Sequence, residues 1–308
     1  MSQPLISVIM PTFNCLDYLP HAVASVFEQG IVDIELLIAD DGSTDDTWSW
    51  LQAQATKDSR IKPIQTKGVG PATARNACIT QAKGEYIGFL DSDDTWRPGK
   101  LKKQIEFLQR HPNVILSFTD YWHWDVEHND LGGCFDYWPF FDQTCKRGGE
   151  YHVLAEALGV IYAENIVGTS TAVVRQNAMQ IAGGFDPELP SAEDWDLWLR
   201  LARQGDVAYS SQVGMDYLLH RPGSMTQKTK NRIDAVASIA AKYKTDVMAI
   251  NKKYINISEG GISSARAEQA ASSGNYYQAL IMNLHAFYKY PHRKAIRAIS
   301  SNLKKVIS

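Results

Sequence analysis

Apolar runs of strand length alternate with segments of helical period from Leu5 to Thr119. Leu5-Ile6-Ser7-Val8-Ile9-Met10 is a near-continuous apolar run, as expected of a strand buried on both faces in a parallel sheet. Pro11-Thr12-Phe13-Asn14 breaks it, and Leu16, Leu19, Val23, Val26 and Phe27 then recur at helical spacing. Glu35–Ala39 predicts a second strand, closed by Asp40-Asp41-Gly42-Ser43. Ser43-Thr44-Asp45-Asp46 offers N-cap candidates for the next helix. Arg60–Ile64, with Pro63 inside it, reads as an edge strand. A glycine-rich turn, Gly68–Pro71, feeds an alanine-rich helix from Ala72 to Ala82, and the apolar run Tyr86–Leu90 ends abruptly in Asp91-Ser92-Asp93-Asp94. A helix from Pro98 to Arg110 and a strand from Val114 to Phe118 follow. This alternation predicts an α/β fold, a mostly parallel central sheet flanked by helices, with right-handed crossovers.

After Thr119 the texture changes. Tyr121–Phe141 is dense in aromatics, His and Asp, and reads as a long irregular excursion over the sheet's binding edge. Helices are predicted near Tyr151–Leu158, up to Gly183-Gly184, and over Glu193–Arg203, with strands at Thr171–Val174 and Met215–Leu219. From Lys228 onward the pattern is helical, with a break at Ser273-Gly274-Asn275. Residues 1–226 thus form one unit, with halves 1–119 and 120–226, and 227–308 a helical extension.

The last segment, Ala295–Ser308, sets Ile296, Ile299, Leu303 and Val306 on one helical face, with basic and no acidic residues from Lys289 to Ser308. Two readings are open: a helix lying on an anionic membrane surface, or one packing its apolar stripe on the domain, which is the commoner arrangement. The same helices could also form a homodimer contact.

The 308-residue chain has a formal net charge of −3, so no global basic field draws it to nucleic acid. Cys15, Cys78, Cys134 and Cys145 lie far apart, which argues against a disulfide framework or a zinc site. No apolar run approaches the ~18 residues of a membrane helix, and the amino terminus lacks the basic region of a secretory signal. The expectation is a cytoplasmic protein, with the inner face of the plasma membrane as the alternative address.

Several polar clusters fall where strands should end: Asn14, Asp40 and Asp41, and Asp91–Asp94. In an open α/β sheet those ends share the edge where ligands bind. Crowded carboxylates repel one another, so a cation suits them, and hard oxygens suit Mg²⁺ or Mn²⁺. The plainer reading is turn and cap chemistry. Arg75 could reach a phosphate with paired donors, or be an ordinary surface arginine. There is no G-x-G-x-x-G after the first strand, which argues against a dinucleotide dehydrogenase, and no G-x-x-x-x-G-K-[ST], which rules out a P-loop NTPase.

Ser7–Asn14, Asp40-Asp41-Gly42-Ser43-Thr44-Asp45, Ala74-Arg75-Asn76, Phe89–Asp94, Gly183-Gly184-Phe185-Asp186 and Glu193–Arg200, in that order, resemble the inverting glycosyltransferases of family 2, with the GT-A fold. The match covers roughly Leu5 to Thr226. The resemblance implies a nucleotide-sugar donor, a UDP-sugar by family habit, and a glycan or lipid-linked saccharide acceptor in cell-surface polysaccharide synthesis. It implies that Pro11, Thr12, Asn14 and Asp41 line the nucleoside, with Arg75, Asp91, Ser92 and Asp93 on the ribose and diphosphate side. It implies metal at Asp93 or Asp94, with His220, and a closing segment with Arg221 and Ser224. Leu218 and Leu219 stand where that pattern leads one to expect a further basic residue. Asp194 would be the catalytic base with Glu193 beside it, and Trp122, Trp124 and Trp195 would stack on acceptor sugar.

The chemistry fits those types. Charge builds on the leaving diphosphate, where a cation acts as a Lewis acid and arginines as fixed donors. A carboxylate on the opposite face takes the acceptor proton, and opposed-face attack inverts the anomeric carbon. An unperturbed Asp, with a pKa of about 3.9, is a weak base, and desolvation between Trp195, Trp198 and sugar would raise it. A sugar-nucleotide-binding module without activity and a sugar nucleotidyltransferase are the competing readings. The latter chemistry wants a glycine- and arginine-rich loop that Pro11–Asn14 does not resemble.

Overall fold

A computed structural model of the chain describes residues 4–219 and 229–307. The first half follows the predicted alternation: β1 (Ile6–Thr12), α1 (Leu19–Phe27), β2 (Ile34–Asp40), α2 (Thr47–Lys57), β3 (Ile61–Gln65), α3 (Gly70–Gln81), β4 (Tyr86–Phe89), β5 (Thr95–Trp96) and α4 (Lys100–Arg110). Then come β6 (Val114–Trp124), β7 (Asp130–Gly133), α5 (Cys134–Tyr137), α6 (Pro139–Thr144), β8 (Tyr151–Val153) and α7 (Ala157–Ala163). A 3₁₀ turn at Thr169–Thr171 leads into β9 (Val173–Arg175), α8 (Gln176–Ala182), α9 (Glu193–Ala202) and β10 (Asp206–Leu218). Four helices close the chain: α10 (Thr229–Ile250), α11 (Lys252–Ser272), α12 (Tyr276–Lys289) and α13 (Arg293–Ile307).

The strands join in one sheet of order β3-β2-β1-β4-β9-β6-β10-β5. The ladders β3-β2-β1-β4 and β6-β10 are parallel, and β9 runs antiparallel between β4 and β6. Pro63 sits in β3, at the sheet edge, where its missing N–H is harmless. Alternate residues of β1 feed two cores. Ile9 faces the side covered by α3 and α9, while Ile6, Val8 and Met10 face α1 and α4. Such two-sided burial is why these strands read as continuous apolar runs.

Three expectations change. Tyr121–Trp124 is not irregular: β6 continues through it, paired with β10 on one side and β7 on the other. The polar stretch Ser210-Ser211-Gln212 hid the first part of β10, which tolerates it through register shifts. Tyr151–Val153 is a strand on β10, and the helix starts only at Ala157. Cross-strand pairing outweighs a helical spacing that was equally compatible with the sequence. The break at Ser273–Asn275 separates α11 from α12 as expected, with Gly274 at φ +79°. Ile239, Tyr243, Val247, Tyr254 and Ile255 from α10 and α11 share one core with Tyr162 and Trp195, so these helices are packed into the sheet's own core.

Candidate active site

The acidic run forms a tight turn beyond β4, and Ser170 organises it. The Asp91 N–H donates to Ser170 Oγ (3.0 Å), Ser170 Oγ donates to Asp94 Oδ2 (2.5 Å), and Trp96 Nε1 donates to the Ser170 carbonyl (2.6 Å). Asp94 and Ser92 are buried, and Asp93 is half-buried. Burial, then the charges of Asp93 and Asp91, push the Asp94 carboxyl well above its ordinary range. Asp94 is thus a structural anchor turned inward. Its Oδ1 is buried with no hydrogen-bond partner among the described residues, so Asp93 and Asp94 both stay candidates for the metal.

Arg75, on α3, is the hub. It is 6% exposed, donates to Asp91 Oδ1 at 2.7 Å and Glu193 Oε1 at 3.1 Å, and lies over the Phe185 ring, 5.3 Å from its centroid. Burial alone would weaken its charge, but Asp91 and Glu193 hold the guanidinium firmly protonated. Arg75 therefore reaches a carboxylate 16 positions away and another 118 positions away with one side chain. The worthless exposed ion pair is ruled out by the burial.

Glu193 and Asp194 open α9, where three carboxylates in the first turn complement the helix dipole. Ala192 precedes them at φ +58°, a left-handed conformation that strains a residue with a Cβ. Asp194 accepts from Thr169 Oγ1 at 3.1 Å and from the Trp195 N–H at 2.7 Å. Burial first, then the Asp194 charge, raise the Glu193 carboxyl, with Arg75 opposing. Farther along α9, Asp196 is fully buried and accepts from Arg200, Lys242 and Tyr243. This ties the helix to α10.

At the ends of β1 and β2, Asp41 accepts from Thr66 Oγ1 (2.7 Å), the Val69 N–H (2.9 Å) and the Gly70 N–H (2.8 Å). It therefore fixes the start of the helix that carries Arg75. Thr12 pairs in register with Asp40, and Thr12 Oγ1 and Asp40 Oδ2 are buried with no hydrogen-bond partner among the described residues. Pro11 lies beside them in β1. Asn14, at φ +46°, accepts from the Thr44 N–H at 2.8 Å.

Trp122 donates to Asp130 (2.7 Å) and Trp124 to Asp216 (2.8 Å), the latter carboxylate being gripped by both donors of Arg97. Both tryptophans are half-buried near the end of β6. Trp195 is not at an acceptor surface. It is 3% exposed and donates to the Ile161 carbonyl, and Trp198 packs against Phe89 and Phe185 in the core. The desolvating walls expected around Asp194 are core side chains instead. His220, Arg221 and Ser224 lie outside the described residues.

Sequence reasoning passed over Thr169 and Ser170, which contact the two halves of the site, and no local pattern marks them. It also passed over the Asn76 side chain, which clamps the Phe185 backbone at both ends (2.7 and 2.9 Å). The approach is close: a Cβ on Gly184 would meet Asn76 Oδ1 at 2.6 Å. The Gly183-Gly184 pair was the available signal.

Residues 7–157 match the family model described as glycosyl transferase family 2. TuaG of Bacillus subtilis (strain 168), named "putative teichuronic acid biosynthesis glycosyltransferase", is 34% identical over 212 residues, covering 67% of this chain and 75% of TuaG. Chondroitin synthase of Escherichia coli is 27% identical over 225 residues, and the match spans 73% of this chain but 30% of that protein. Among solved structures, S. aureus TarS 1-349 in complex with UDP-GlcNAc superposes with a TM-score of 0.61 at 18% identity, over 96% of this chain and 88% of that one. That likeness is one of fold. The family match and the identity with TuaG make the chain a member of glycosyl transferase family 2.

Proposed function

We propose that this chain transfers a sugar from a nucleoside-diphosphate sugar, a UDP-sugar, to a hydroxyl of a glycan or lipid-linked saccharide in cell-surface polysaccharide synthesis, with inversion. The observation that carries the reading is the gathering of Asp91, Glu193 and Asp194 around and beside the buried Arg75. A fixed cation between the strand-end carboxylates and the α9 carboxylates separates two roles within one site.

In this reading Thr12, with its unpaired hydroxyl, and Asp41 receive the nucleoside, alongside Pro11 and Asn14. Arg75 holds Asp91 in place and adds positive potential toward the diphosphate. Asp194, steadied by Thr169, takes the acceptor proton. Glu193 orients Arg75, and Trp122 and Trp124 offer ring faces to acceptor sugar. His220, Arg221 and Ser224 would close over the diphosphate. Residues 1–226 would be the transferase unit, working in the cytoplasm, with 227–308 as its helical buttress.

The acidic turn fits Mg²⁺ or Mn²⁺ by its chemistry, being a set of hard carboxylate oxygens. Among the described residues no three His, Cys, Asp or Glu side chains form a ready cage. Mg²⁺ is commonly held by one or two carboxylates plus substrate phosphate. Asp93 or Asp94, with Asp91 beside them, would hold the ion. Once bound, it would neutralise charge on the departing diphosphate.

A thermal-shift screen of sugar nucleotides, with and without Mn²⁺, tests the donor reading. The true donor should raise the melting temperature with metal present, because ligands of the native state stabilise it. No shift with any sugar nucleotide would contradict it.

A further inference from the structure

The C-terminal helices leave large apolar side chains outside. On α12, Tyr277, Ile281, Leu284 and Tyr288 follow i, i+4, i+7, i+11 spacing and are 50–80% exposed, one continuous stripe. Ala279, Asn283 and Ala286, on the opposite side, are the buried ones. On α13 the inward residues are Ala295 and Asn302, while Ile296, Leu303 and Ile307 are exposed along a second stripe. The fully buried positions are thus small or polar, Leu280, Met282, Phe287 and Ile299 are partly buried, and the two stripes of large residues stay outside.

Charge selects the occupant. The chain is net −3, yet from Gln269 to Ser308 it holds six Lys or Arg and no Asp or Glu. Lys294 and Lys305 lie over the rings of Tyr137 and Tyr276. Arg293, Arg297 and Lys304, at i, i+4 and i+11, form a row flanking the apolar stripe of α13. None of these three is in an ion pair among the described residues. A second copy of the same face would bring like charges together, whereas an anionic surface attracts them.

We infer that α12 and α13 form a membrane-docking face, laying exposed aliphatic and tyrosine side chains into the headgroup region of an anionic bilayer while Arg293, Arg297 and Lys304 meet lipid phosphates. The inference stands apart from sugar transfer, since lipid binding is read without any donor.

Co-sedimentation of the full chain with vesicles of phosphatidylcholine alone, and of phosphatidylcholine with phosphatidylglycerol, tests it. The protein should bind the mixed vesicles and be released by salt. Neutralising the row (Arg293→Gln, Arg297→Gln, Lys304→Gln) should weaken partition about a hundredfold, at about fivefold per cation. Ile296→Ser with Leu303→Ser should also weaken it, and all these exposed sites should leave the melting temperature unchanged. Equal binding to neutral vesicles, unchanged partition of the variants, or a dimeric mass without lipid that the serine variant converts to monomer would each overturn the inference.

Discussion

Arg75 shows how one residue can define the site. Its guanidinium spans Asp91 and Glu193 with two divergent donors, a geometry an ammonium cannot copy. Arg75→Lys should destabilise the fold by about 1–3 kcal/mol, because one partly buried carboxylate loses its partner, and transfer should fall in parallel. Denaturant melts and initial rates check both, and a fully stable, fully active lysine variant would remove Arg75 from the centre. The sequence exposed Arg75 through its motif, but not its burial. Neither Asp91 nor Glu193 announces locally which cation it will meet. Ser170 and Thr169 were illegible for the same reason, as their importance lies wholly in tertiary contacts. Trp195 misled because an aromatic beside a carboxylate suits either a sugar or the core, and here the core takes it.

At the scale of elements, α9 is held in place from behind. Asp196 binds Arg200, Lys242 and Tyr243, and although burial works against ionisation, these partners keep its pKa below the ordinary value. A depressed folded-state pKa stabilises above the unfolded value and is lost as pH falls through the folded one. Asp196→Asn should therefore cost about 3 kcal/mol at neutral pH, with the gap to wild type shrinking in acid. Urea melts across that range test the sign.

Glu164 behaves oppositely. It accepts from the Phe140 and Phe141 N–H groups at the start of α6, and burial pushes its pKa up to about 7. With the folded value raised, its stabilising contribution is present below the unfolded pKa of about 4.5 and lost as pH rises toward 7. Wild type should gain stability relative to Glu164→Gln between pH 8 and pH 5, by up to ~3 kcal/mol. Parallel melting curves would show that Glu164 does not titrate there. The helices and buried strands of the first half were legible because apolar period reports burial directly. β7 and the start of β10 were not, because strands rich in Ser, Gln, Asp or Gly owe their existence to neighbours, and the three-residue β8 is a strand only through its pairing with β10.

For the whole molecule, the strand-end grammar predicted one shared edge, and the sheet order brings β1, β2 and β4 side by side to form it. The reach of α9 across to Arg75 required the chain to return through β9, and no sequence period specifies that antiparallel insertion. The exposed face of α12 and α13 was half-visible as a stripe with basic flanks, but the sequence could not say whether the stripe turned inward. In the proposed function the carboxylates around Arg75 belong to one transfer site with Asp194 as its base. Turnover and donor binding of Asp194→Asn, measured on the same preparation, test it most directly. Donor affinity should stay within about twofold of wild type while transfer falls by about 10²–10⁴. Undiminished transfer by that variant would contradict it.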